Sequence, residues 1–255
     1  MTKTLPLGRG LLPALLALFG SALGACDGAM ALGGPSDRFV IAPAPGDAEA
    51  SPSPEDVQAA AAIIRKRLEG MGLVVHRLEP GTDGRITVEV SGADAETAVA
   101  AAIGIKGDLA IRLVDTGALP EDTDHGIASP GSEILPMADG SMAVAVRKVG
   151  GISGKRVEAA MVGIDQSTGQ SMVMVTFDTA GASKFAQLSG ANVGKPLAIV
   201  LDGKVLSAPV INEPITGGQA QISGGFTAEE ANQLAVALQS GALPVVFTVA
   251  EHTGL

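Results

Sequence analysis

Aromatic side chains are scarce in this chain, whose 255 residues include six phenylalanines and no tryptophan or tyrosine. Proteins that bind single-stranded nucleic acid stack the bases on aromatic side chains, so that class of function is nearly excluded. The net charge of −10 points the same way, because phosphate backbones are bound through Lys and Arg. The hydrophobic core must therefore be built from Val, Ile, Leu, Ala and Met.

Cysteine and histidine are also scarce. A single cysteine rules out a disulfide within the chain. The three histidines, at 76, 125 and 252, are far apart and lack the spacing of helical zinc ligands. No nucleophile elbow or Walker loop is present, and the paired glycines at 217–218 and 224–225 are predicted to form turns. The sequence therefore predicts no catalytic residue, no cofactor and no metal site, and an enzyme is the weakest hypothesis.

The N-terminus has the features of a targeting signal. Lys3 and Arg9 precede an uncharged apolar run at 11–22, which is too short to span a bilayer comfortably. The run leads into Leu23-Gly24-Ala25-Cys26, which resembles the lipobox of bacterial lipoproteins.

From this resemblance we predict a signal peptide at 1–25, lipidation of Cys26, and a tether at 26–37. Removal of the signal peptide would change the net charge from −10 to −12. The predicted location is the cell envelope, at the periplasmic or outer face of the inner membrane. A plain secretory signal or an anchor is the alternative.

The first half of the remaining chain reads as strand, helix, strand, strand, helix, strand. Ser53 and Pro54 give a strong helix start, and Gly70 ends that helix; Asp94 is predicted to cap the second helix. The basic triplet at 65–67 is predicted to be a solvated helix end rather than an anion site. The order βαββαβ predicts a ferredoxin-like base subdomain at 38–115, with 109–113 as its last strand.

The second half predicts a separate α+β head subdomain at 142–243, after a loop at 116–141. Asp202-Gly203 predicts a tight hairpin, and Thr227 with Glu230 forms the capping box of a helix. Residues 244–255 are predicted to form a C-terminal strand and tail that packs on the base.

The segment from about 152 to 244 resembles the head of the first periplasmic domain of SecD, a membrane subunit that assists bacterial protein export with SecF. Weaker matches upstream, at 64–67 and 85–90, resemble the SecD base. The residues that carry the resemblance of the head are Val162-Gly163-Ile164-Asp165, Thr168-Gly169, Gly194-Lys195-Pro196-Leu197-Ala198-Ile199, Leu201-Asp202-Gly203, Ser207-Ala208-Pro209-Val210, Glu213-Pro214-Ile215, Gln221-Ile222-Ser223-Gly224, Phe226-Thr227, Glu230-Ala231, Leu234-Ala235 and Gly241-Ala242-Leu243-Pro244.

The resemblance implies a membrane-tethered accessory protein of export that binds unfolded or emerging polypeptide, with SecY, SecD or SecF as further partners. Its expected contact residues are Ile211, Ile215 and Phe226, although the ring of Phe226 could equally be a core plug. SecD proteins continue into membrane helices that couple proton flow to movement, so proton-driven motor activity is not expected of this chain alone. The alternative is a structural or interaction lipoprotein that uses the same fold for an unrelated envelope partner.

Overall fold

A computed structural model describes residues 37–45 and 52–255. The predicted α+β fold is confirmed: antiparallel sheets and helices alternate along the chain. Residues 1–36, with the predicted signal peptide, Cys26 and nearly all of the tether, lie outside the described residues. Along the chain the elements are β1 Asp37–Pro43, α1 Pro54–Gly70, β2 Val74–Pro80, β3 Ile86–Ser91, α2 Ala95–Gly104, β4 Leu109–Leu113, α3 Pro120–Asp124, β5 Ser132–Leu135, β6 Val144–Arg147, β7 Ile152–Ser153, a 3-10 turn Gly154–Arg156, β8 Val157–Ile164, β9 Ser171–Phe177, α4 Thr179–Gly190, β10 Leu197–Leu201, β11 Lys204–Ser207, β12 Gln219–Phe226, α5 Ala228–Ser240 and β13 Phe247–Gly254.

The first sheet is four-stranded and antiparallel, in the order β13-β1-β3-β2. Alternate residues of its strands, such as Phe39, Ile41 and Val88, are buried in one core with apolar residues of α1 and α2. One face of the sheet is therefore covered by two helices. We call β1, α1, β2, β3, α2 and β13 the base, and the elements from β4 to α5 the head.

The last strand of the base was predicted wrongly. Residues 109–113 do not join the base sheet; β4 pairs with β10 and β7 in the head. The place beside β1 is taken by β13, whose register runs from Asp37 opposite Gly254 to Pro43 opposite Phe247. The order βαββαβ is thus completed by the C-terminal strand, and the head is inserted before it.

The starts of the helices were predicted with mixed success. The Ser53 hydroxyl accepts the Asp56 N–H at 3.1 Å, and the capping box of α1 is complete. Thr227 and Glu230 form the predicted capping box of α5. Asp94, in contrast, adopts a left-handed conformation with φ 52° and makes no capping hydrogen bond at α2, so the predicted cap is wrong.

The head contains the sheets β11-β10-β4-β7 and β12-β9-β8 and the hairpin β5-β6. Its core brings together both larger sheets, α4 and α5, with Phe177, Phe185 and Leu234 among the buried residues. The turn between β10 and β11 has positive φ at both Asp202 (49°) and Gly203 (77°), which is typical of a type I′ hairpin and matches the predicted tight turn.

The segment 116–141 was predicted to be a loop, but it contains α3 and β5. Strand β5 pairs with β6 from Ser132 opposite Arg147 to Leu135 opposite Val144. Because turn residues are frequent in this segment, its four-residue strand has no clear signal in the sequence.

A buried arginine lies where the base meets the head. Arg67 is fully buried, and its guanidinium donates to the carbonyls of Ala102 (2.7 Å), Lys106 (2.9 Å) and Gly241 (2.9 Å). Two further hydrogen bonds reach the Ile105 carbonyl and the Ser240 hydroxyl. The prediction of a solvated basic triplet is therefore wrong for Arg67. Its side chain contacts both segments that connect the base to the head, the one that follows α2 and the one that follows α5.

Candidate functional site

A cleft of about 700 Å³ opens on the surface of the head. Its floor consists of apolar side chains from two sheets and α4, and the rest of its lining includes neutral polar groups together with Val210 and Glu213. We call it the head cleft. Its lining residues are Ile111, Phe185, Leu197, Ile199, the segments 207–213 and 219–221, Ile215 and Ser223.

Two of the three predicted contact residues lie at this cleft. Ile211 is buried in its wall and Ile215 is half-buried. The loop between Ile211 and Ile215 is held by the buried hydroxyl of Ser189. This hydroxyl accepts the Ile215 N–H at 2.9 Å and donates to the Phe185 carbonyl at 2.8 Å. The loop that carries Ile215 is therefore fixed to α4.

The segment 207–211, which follows β11, forms one wall of the head cleft. It continues the pairing with β10: the Leu197 N–H donates to the Pro209 carbonyl at 2.8 Å, and the Ile211 N–H donates to the Lys195 carbonyl at 3.0 Å. Val210 in this wall is 54% exposed. An exposed valine held on a rigid backbone offers apolar area to a ligand without a cost of ordering.

The head cleft is nearly uncharged. Among the described residues that line it, Glu213 is the one with a charged side chain. Because the described lining has no cationic side chain, the cleft offers no opposite charge to an acidic ligand, and its apolar floor favours apolar groups.

Phe226, the third predicted contact residue, lies elsewhere. It borders a second cavity of about 660 Å³ with Ile105, Leu234 and the β10–β11 turn. The ring is half-buried against the head core and lies over Gly224, where an added Cβ would come within 2.6 Å of it. Phe226 therefore does not line the head cleft with Ile211 and Ile215, although all three pack on the same head core.

A buried carboxylate supports the outer part of the head. Asp115 accepts the Ser132 hydroxyl at 2.6 Å, the Arg147 guanidinium at 3.0 Å and the Gly117 N–H at 3.2 Å. The Ser132 hydroxyl, followed by the Gly117 N–H and Arg147, holds the pKa of Asp115 below its usual range. The site joins β5 and β6 to the chain after β4, and it is a structural feature rather than part of the cleft.

Comparisons with known proteins give the family. The sequence model for the SecDF P1 head subdomain matches residues 132–245. The protein translocase subunit SecD of Acetobacter pasteurianus is 38% identical over 196 residues, which cover 76% of this chain. A solved structure of SecDF, a membrane component that enhances protein export, is 31% identical with a TM-score of 0.65, and the match covers 86% of this chain and all of that one.

The chain belongs to the SecD family. A crystal structure of SecDF in a super-membrane-facing form is similar over 86% of the present chain and 30% of its own, with a TM-score of 0.67 and 31% identity. The match to the Acetobacter SecD spans 37% of that protein's length. This SecD-family chain thus corresponds to a little over a third of that relative.

Within residues 37–45 and 52–255, no helix of this SecD relative is both long and apolar enough to span a membrane. The same residues contain no cluster of three His, Cys, Asp or Glu side chains that could hold a metal ion.

Several cleft residues were missed by sequence reasoning. Phe185 reads in the sequence as an ordinary core residue of a helix, although it forms part of the cleft floor. Val210 lies in a stretch that resembles SecD, but its exposure depends on the packing of the wall. The hairpin signal at Asp202-Gly203 could have predicted that the segment after β11 lies beside β10. That placement would have identified the segment as a wall of the cleft.

Proposed function

We propose that this protein is an accessory of extracytoplasmic protein export whose head cleft binds unfolded or emerging polypeptide. The observation that carries the proposal is the apolar, nearly uncharged cleft of about 700 Å³ in a head of the SecD family. Ile211 and Ile215 contact the polypeptide in this proposal, and the exposed Val210 adds apolar area at the rim. Proton-driven motor activity is not assigned to this chain.

Aspartate at position 210 tests the cleft. Val210→Asp places a charge at the rim of the cleft without burying it in the free protein. In the complex it removes the burial of a valine side chain, which contributes about 1.5 kcal/mol. Affinity for a preprotein diluted from urea, measured by fluorescence anisotropy, should therefore fall roughly tenfold.

A matched control is available in the base. Val74 is 53% exposed, nearly the same as Val210, and it lies in β2, away from the head cleft. Val74→Asp should bind the preprotein as tightly as the unaltered chain. Equal affinities of the Val210→Asp and Val74→Asp variants would contradict the proposal.

Phe226→Ser separates the two cavities. Since Phe226 borders the second cavity, this variant should keep its affinity for the preprotein if it remains folded. A loss as large as that of Val210→Asp would place the contact surface at the second cavity instead.

We also propose that the chain is tethered at the periplasmic face of the inner membrane through a lipid on Cys26. The proposal rests on the Leu23-Gly24-Ala25-Cys26 pattern and on the membrane location of the SecD family. Mass spectrometry of the membrane-extracted protein should show a diacylated N-terminal Cys26; a mature chain that begins at another residue would contradict it.

SecY, SecD or SecF should be recovered with the protein from detergent-solubilised membranes, and recovery of a consistently unrelated partner would contradict the role in export.

A further inference from the structure

Strand β12 forms the edge of its sheet and borders the head cleft. The sheet order β12-β9-β8 gives β12 one neighbour, β9. The cleft is lined by the consecutive residues Gln219, Ala220 and Gln221. Because successive side chains of a strand point to opposite faces, a wall of consecutive residues presents the backbone edge of the strand to the cleft.

The pairing with β9 identifies the backbone groups at that edge. The Phe177 N–H donates to the Gly218 carbonyl at 2.9 Å, and the register places Ala220 opposite Val175. Hydrogen-bonded pairs alternate along an antiparallel ladder, so the backbone of Ala220 is directed to β9. The backbone N–H and C=O groups of Gln219 and Gln221 are then directed to the cleft, where no described segment of the chain pairs with them.

The part of this edge that borders the cleft at 219–221 lacks the residues that commonly prevent pairing; a register shift with β9, another such protection, lies beyond it, between Ile222 and Phe226. Sheet edges are commonly guarded by lysine, other charged residues or proline. The sequence of β12, QAQISGGF, contains none of these. An unguarded edge beside an apolar floor is a suitable template for another strand.

The charge of the cleft limits the occupant. Glu213 is the one charged side chain in the lining that the structure describes, and the chain as a whole carries −10. An acidic segment would be repelled, whereas a neutral or basic segment would not.

We propose that an extended polypeptide segment without acidic residues binds by adding to β12 as a further strand. Its backbone exchanges hydrogen bonds with Gln219 and Gln221, and alternate side chains contact the floor at Ile111, Phe185 and Ile199. The inference rests on the proposed function, since it describes how the head cleft holds its polypeptide. Backbone pairing explains how one cleft accepts segments of differing sequence.

Proline at position 221 tests the pairing. Gln221→Pro removes an N–H directed to the cleft and leaves the ladder to β9 intact, because proline is tolerated at strand edges. The Gln221→Thr control also loses the hydrogen bonds of the glutamine side chain to Asp165 and Ser223 but keeps the backbone N–H. We expect a fluorescein-labelled peptide that alternates valine with serine to bind the full-length Gln221→Pro chain roughly tenfold more weakly and the Gln221→Thr chain with unchanged affinity. Equal affinities of the two variants would overturn the proposal.

Changes in the peptide give a test that does not depend on the variants folding. The same peptide is N-methylated either on its valines or on its serines, and each form is bound to the unaltered protein. A strand at the edge of β12 presents one of these two sets of N–H groups to Gln219 and Gln221, so one form should bind roughly tenfold more weakly than the other. Two forms of equal affinity would overturn strand addition. Two added aspartates should weaken binding more than two added lysines, and the reverse order would overturn the charge preference.

The two levels of inference can fail separately. If Val210→Asp weakens binding while Gln221→Pro does not, polypeptide binds in the cleft without adding to β12, and only the present inference fails. If neither substitution weakens binding, the proposed function of the cleft fails as well.

Discussion

Replacement of Arg67 by methionine should destabilise the protein by about 4 kcal/mol. Its five hydrogen bonds have a charged donor and contribute about 1.5 kcal/mol each, or about 7 kcal/mol together. Burial opposes this gain: it lowers the pKa of Arg67 to about 10, against a smaller opposite effect of Asp202. Because the contributions of neighbouring hydrogen bonds are not additive and a buried methionine regains apolar contact, we expect a net loss of about 4 kcal/mol, which is in the range for removing one partner of a buried charged network. Methionine keeps an unbranched side chain as far as the position of Nε and loses every donor.

Urea unfolding followed by circular dichroism measures this difference. Arg65→Met is the matched control, because Arg65 lies on the same helix and makes an exposed 3.9 Å ion pair with Glu69; it should cost less than about 1 kcal/mol. Arg67→Lys keeps the charge with fewer donors and should fall between the two. A free energy of unfolding for Arg67→Met within about 1 kcal/mol of the Arg65→Met value would refute the assignment of Arg67 as the joint between base and head.

Three further substitutions test local features of the head by the same urea unfolding. Ser189→Ala leaves the Ile215 N–H without its 2.9 Å acceptor and should cost about 1–3 kcal/mol, whereas the exposed Ser183→Ala on the same helix should be neutral; equal effects would contradict the role of Ser189. Thr227→Ala removes the cap of α5 and should cost about 1 kcal/mol, and Thr227→Ser should restore it; a serine variant as unstable as the alanine variant would count against the cap. The lowered pKa of Asp115 means that its stabilising effect is complete above the ordinary carboxyl pKa of about 4 and is lost as pH falls through its lower pKa in the folded state. Asp115→Asn should therefore show a smaller loss of stability on acidification, and parallel pH profiles of the variant and the unaltered chain would contradict this.

Local signals in the sequence predicted local structure well. The helix cap at Ser53, the capping box at Thr227 and the turn at Asp202-Gly203 each depend on a few neighbouring residues, and the structure has all three. The partners of strands could not be read in this way. Strands 109–113 and 247–254 both follow helices and both carry apolar residues, so the pattern does not say which one pairs with β1.

The candidate site was predicted only in part, for a related reason. Ile211 and Ile215 were predicted because they lie in the stretch that resembles SecD, and both line the proposed cleft. Phe226 lies in the same stretch but in another cavity, and its place depends on how β12 packs on α5. The burial of Arg67 depends on two chain segments 35 and 174 residues away along the sequence, which no pattern in the helix itself reveals.

The completion of the base sheet by β13 has a consequence for how the protein is made. Asp37 lies opposite Gly254, so nearly the whole described chain separates the two strands that pair. Closing so long a loop has an entropic cost, and contacts so distant in sequence slow folding. The head can complete both of its larger sheets as soon as α5 has emerged, whereas the base lacks a strand until the last residues of β13 arrive. We therefore expect the head to fold first. The base, whose strands begin the described chain, should fold last.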